Sequence, residues 1–149
     1  MRAALVIALA ASAVATGACA QSFMNVAPTD NDLRAAYCLE TSDRLVKDIE
    51  SSGIEGVISE AARDPRAVDA AASAKAQMDG LRDRRARLAT YVGLRLTHIN
   101  PVGLVAAMRR ADVDFDSLKR ESTTVPPSGT MDEQADRIRS CKDLSWLPF

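Results

Sequence analysis

The sequence predicts an all-α fold, a single-domain bundle of four to five helices closed by one disulfide. Three observations carry that prediction. Alanine and arginine, both strong helix formers, are abundant, while aromatics make up only 4% of the chain and β-branched runs are scarce. Apolar residues recur at three- and four-residue spacings behind residues that cap helices. Two cysteines, Cys38 and Cys141, stand near the two ends of the region that carries this pattern.

The chain opens on what reads as an export signal. Arg2 supplies a positive start, and Ala3 to Val14 form an apolar run interrupted only by Ser12. Ala18-Cys19-Ala20 then places small residues where a signal peptidase reads them, ahead of polar Gln21-Ser22. The run is shorter than the roughly 20 apolar residues that span a bilayer. Residues 1–20 are therefore expected to be cleaved, leaving a lead-in over 21–29 and a helical domain over 30–149. Thr16-Gly17-Ala18-Cys19 also resembles the lipobox of bacterial lipoproteins, although Thr16 stands where that family usually carries leucine. The resemblance implies acylation of Cys19, which would become the first residue. The expected location is periplasmic or secreted, with a lipid anchor in the bacterial envelope as the alternative.

On either route Cys19 drops out of the cysteine count. An even pair in an exported protein reads as a disulfide, here Cys38–Cys141, with two buried free thiols as the alternative. Closing a loop of about 100 residues contributes roughly 4–5 kcal/mol in the chain-entropy picture.

The elements follow in order. Thr29 and Asp32 have the spacing of a capping pair for a helix from about Asp30 to Ser51, in which Cys38, Leu45 and Ile49 share a face. Ser51-Ser52-Gly53 ends it, and Ile54 to Arg63 forms a short helix. Asp64-Pro65 reads as a cap and first turn for a long helix reaching Leu96. Ala67, Ala71, Ala74, Met78, Leu81, Leu88 and Val92 mark its seam, while Gly80 and Gly93 are candidate bends. Val92 to Ile99 could instead form a short strand, since Leu94 and Leu96 alternate with Arg95 and Thr97. Asn100-Pro101 begins another helix, with Val102, Val105, Ala106 and Met108 expected inward. Asp112 to Asp116 reads as a turn, with Asp116 capping a short helix through Glu121. Ser122 to Gly129 is a loop, and Thr130 with Glu133 starts a last helix whose Met131, Ala135, Ile138 and Cys141 share a face.

The chemistry is sparse. Asp112, Asp114 and Asp116 are spaced like the opening of a calcium loop, but Ser117 and Thr123 occupy the positions that need glycine and bidentate glutamate, so no metal is expected. His98 stands alone, without the partners a zinc site or a catalytic triad requires, and reads as a helix-end residue. No glutamate has an apolar setting in sequence that marks it as a raised-pKa acid. Residues 82–110 hold seven arginines against Asp83 alone, the densest charge in the chain. The planar fork of arginine suits carboxylate and phosphate. Arg84, Arg87 and Arg95 can share an outer stripe, with Arg82 beside them and Arg85 nearer the core. The apolar tail ends in Trp146 and Phe149, which either fold back over the core or anchor a partner.

The chain's formal charge of −1 shifts only slightly on losing Arg2, so nothing draws it to nucleic acid. The expected role is non-catalytic, binding or structural, toward another envelope or secreted protein, with no cofactor. Its binding residues would be Arg82, Arg84, Arg87, Arg95, Trp146 and Phe149. An inhibitor or immunity-type protein against a secreted enzyme, and an envelope hydrolase using carboxylates alone, are the alternatives.

Overall fold

A computed structural model describes residues 26–121 and 130–148. The export signal with Cys19, the Ser122–Gly129 loop and Phe149 lie outside the described residues. Within them the chain forms five helices and no strand: α1 Asp30–Ser52, α2 Ile54–Ala61, α3 Val68–Leu96, α4 Pro101–Glu121 and α5 Thr130–Ser140. The all-α bundle expected from the sequence is the architecture observed.

α1 begins at a reciprocal cap. The Thr29 hydroxyl oxygen accepts from the Asp32 amide, and the Asp32 carboxylate accepts from the Thr29 amide at 2.8 Å. It ends at Gly53, whose φ of 70° is open to glycine at little cost. α3 starts later than Asp64-Pro65 suggested. The Asp64 side chain turns onto the Arg66 amide at 2.9 Å and its carbonyl accepts from the Ala67 amide at 3.0 Å, closing a turn before Val68. The helix then runs unbroken through Gly80 and Gly93 to Leu96. The strand alternative over 92–99 is overturned, because Leu88, Tyr91 and Val92 carry the buried face onward with helical spacing.

α4 departs most from expectation. Its start is as read, with the Asn100 side chain accepting from the Val102 amide at 3.0 Å. Its inward face is not. Val102, Val105 and Ala106 are exposed, whereas Leu104 and Ala111 are buried and Met108 half-buried. Gly103 explains the rotation, since it lies against the proline ring of the lead-in, where a Cβ would come within 2.7 Å of Pro28 Cγ. No turn interrupts Asp112 to Asp116 either. The helix continues to Glu121 because these acids meet cations on neighbouring helices.

The ion pairs set the topology. Arg44–Asp112 and Asp48–Lys119 advance together, so α1 and α4 run parallel. Asp32–Arg95 and Asp43–Arg85 advance in opposite senses, so α3 is antiparallel to α1. Just past the end of α5, Cys141 meets Cys38 of α1, and the two form the disulfide with Cα atoms 5.2 Å apart. Ala35, Ala36, Cys38 and Ala111 let the helices approach closely around Leu88, Tyr91 and Leu104. Leu144 and Leu147 of the tail complete this core. Each fully buried leucine contributes about 1.5–3 kcal/mol.

A basic notch beside two buried carboxylate clamps

The α1 face that packs inward carries polar residues among the small apolar ones, and two buried aspartates organise them. Asp32 accepts from Arg95 through two bonds of 2.7 and 3.0 Å and from the Tyr91 hydroxyl at 2.9 Å, on top of its capping bonds. The Arg95 guanidinium, outweighing the opposing effect of burial, holds the Asp32 carboxyl well below the usual range. Asp114, 1% exposed, accepts from the Tyr37 hydroxyl at 2.9 Å, from Arg137 at 2.8 and 3.1 Å and from Arg110 at 3.2 Å. Burial opposes its charge, yet Arg137 and Tyr37 keep its pKa lowered. The same burial, together with the bond to Asp114, pushes the Tyr37 hydroxyl up to about 12.

These clamps redistribute the acids and arginines singled out from sequence. Asp112, Asp114 and Asp116 do not converge. Asp112 and Asp116 face Arg44 of α1, while Asp114 turns inward to Tyr37 and Arg137. Arg95 leaves the outer stripe to reach Asp32. Arg82 ties α3 to α2 through Glu55 and lies 3.8 Å from Glu50. Arg85 is exposed rather than near the core and bonds Asp43 at 2.6 Å. His98 is exposed in the turn after α3.

Arg84 and Arg87 are placed otherwise. They line a notch of about 330 Å³ with Gly80, Asp83, Lys142, Leu144 and Ser145, so that the arginine helix and the C-terminal tail meet at one surface. The tail that builds its far wall is folded back on the bundle. Trp146 is half-buried, its indole N–H donates to the Asp143 carbonyl at 2.8 Å, and Arg34 stacks 4.7 Å from its ring centroid. Asp143 accepts from the Ser145 amide and hydroxyl, at 2.8 and 3.0 Å, which fixes the turn carrying Lys142 and Ser145.

Two other concavities differ in character. A half-open groove of about 460 Å³ between α2 and α3 is apolar, with Ile58, Val68, Ala71 and Met78 in its walls. No residue of α2 is buried, so that short helix rests on α3 without entering the core. A second groove holds Glu40 and Asp43 of α1 beside Arg85. Here the sequence reading of the glutamates is corrected, because burial, and then the neighbouring Asp112, raise the Glu40 carboxyl. Burial also disfavours the charged form of Asp43, but bonds from Lys47 and Arg85 keep it lowered. Glu40 stands 3.9 Å from Arg44. No helix among the described residues is long and apolar enough to cross a membrane.

No protein-family model, curated protein or solved structure matches the chain.

Proposed function

We propose that this chain is an exported, non-catalytic binding protein of the cell envelope, and that it recognises an acidic segment of another envelope or secreted protein at the Arg84–Arg87–Lys142 notch. The observation that supports this most is the convergence of those three cations on one concave surface, walled by the folded tail. Arg82, Arg85 and Arg95 tie α3 to its neighbouring helices. Guanidinium forks bind carboxylates through paired hydrogen bonds, which gives such a notch both affinity and orientation. The disulfide fits an oxidising compartment.

Fluorescence anisotropy with a labelled hexaglutamate peptide tests the reading at low salt. Arg84→Glu/Arg87→Glu is expected to weaken binding at least about tenfold, or roughly 1.4 kcal/mol, while leaving the circular dichroism unchanged. Equal binding by both proteins, or none by either, would sink the proposal.

A further inference from the structure

The far wall of the notch is built from the chain that directly follows the disulfide. Lys142, Leu144 and Ser145 line it, and Lys142 is the next residue after Cys141. Cys38, Cys141 and Leu144 belong to the same buried cluster as Leu88 of α3, which lies one turn beyond Arg84. The covalent link and the cationic surface therefore share one support.

The other contacts of the tail with α1 are weaker. Its turn is closed from within, by Asp143 accepting from Ser145, by the Trp146 indole on the Asp143 carbonyl and by the Leu147 amide on the Leu144 carbonyl at 3.0 Å. Toward α1, Arg34 donates to the Ser140 carbonyl at 3.1 Å, in a bond open to water, and stacks on Trp146. Leu144 and Leu147 are buried, but two leucines do not offset the entropy of ordering residues 141–148. α5 is anchored separately, by Arg137 on Asp114 of α4.

We propose that the Cys38–Cys141 bond is a redox switch for the notch, a proposal that rests on the notch being the acidic-partner site. The oxidised chain holds Lys142 and Ser145 opposite Arg84 and Arg87; the reduced chain frees the tail and releases the partner, while the helices stay in place. The reductant is a dithiol. Its thiolate attacks one sulfur of the bond and displaces the other as a thiolate. Its second thiol then closes the reductant's own disulfide, so that two electrons and two protons pass to Cys38 and Cys141. Both cysteines are buried, so the exchange follows a local opening of the tail. Linkage makes the coupling reciprocal: a ligand that holds the tail closed protects the bond.

The test compares the oxidised chain with the chain reduced by dithiothreitol, using labelled hexaglutamate. Reduction is expected to weaken binding at least about tenfold and to shift the emission of Trp146, the chain's one tryptophan, to the red, with helical circular dichroism unchanged. Cys38→Ala/Cys141→Ala is expected to match the reduced chain without any reductant present. Hexaglutamate at about ten times its dissociation constant is expected to slow reduction of the wild type about tenfold and of Arg84→Glu/Arg87→Glu not at all. Equal binding by the oxidised and reduced chains, or a reduction rate indifferent to the peptide, would overturn the switch and leave the notch standing. Loss of the helical signal on reduction would also overturn it, because the bond would then hold the whole bundle. No binding by the oxidised chain would remove the notch, and the switch with it.

Discussion

Replacing Asp114 with alanine isolates the interaction on which the α1–α4–α5 packing depends. The aspartate receives four hydrogen bonds, and their settings differ. Arg110 has a side chain 63% exposed and loses little on being freed. Arg137 is 37% exposed and can be partly rehydrated. The Tyr37 hydroxyl is buried and would be stranded, at a cost of about 1–3 kcal/mol. Adding the partial loss at Arg137 gives about 3 kcal/mol for Asp114→Ala, at the lower edge of what breaking a buried ion pair costs. Tyr37→Phe removes one donor and leaves the carboxylate with its arginines, so about 1–1.5 kcal/mol is expected. Asp112→Ala, which touches a pair open to water, should cost less than about 1 kcal/mol. Urea unfolding followed by circular dichroism, with the disulfide intact, measures all three, and a Tyr37→Phe/Asp114→Ala cycle measures their coupling. If Asp114→Ala costs no more than Asp112→Ala, the clamp is not a stabilising unit and the reasoning fails.

The same carboxylates predict a pH response. Both Asp32 and Asp114 titrate below the ordinary aspartate value of 3.8 when folded. Their contribution is therefore complete above about pH 4 and is lost as pH falls toward their folded values. The stability gap between wild type and Asp32→Asn/Asp114→Asn should stay constant from pH 7 to 5 and shrink below about pH 4, as read from urea midpoints. Gly80→Ala and Gly93→Ala, where nothing lies within 4 Å of the added methyl, should each stabilise by up to about 1 kcal/mol. Gly103→Ala should destabilise despite the same helical gain, because its methyl meets Pro28 and Leu33. Cys38→Ser/Cys141→Ser removes a link spanning 103 positions and should lower the melting temperature by about 10 °C or more.

Much of the fold was legible because its signals are local. The Thr29–Asp32 cap, the Asn100-Pro101 start and the Gly53 stop act within a single turn, and each operates as its residue types suggest. The rotation of α4 was not legible, because it depends on Gly103 meeting a proline far back in the chain. The continuity of α4 through three aspartates was hidden for a related reason. Isolated acids on a helix look like a solvated turn until cations on other helices are brought to them. Arg95 shows the limit most plainly: on a helical wheel it belongs with Arg84 and Arg87, yet it pairs with the residue that caps α1. A signal was present in the four-residue spacing of Tyr91 and Arg95, which puts a hydroxyl and a guanidinium on one face, but only a buried partner gives that spacing meaning. The disulfide itself was legible in the cysteine count, but the meeting of the tail beyond Cys141 with Arg84 and Arg87 was not, because it depends on how the helices pack around that link.

Export underlies the proposed function, and the intact mass of unreduced protein recovered from its native envelope fraction tests it most directly. The account predicts a chain beginning at Gln21, or at an acylated Cys19, and about 2 Da lighter than its reduced form. An unprocessed chain beginning at Met1, with Cys38 and Cys141 both free thiols, would contradict it.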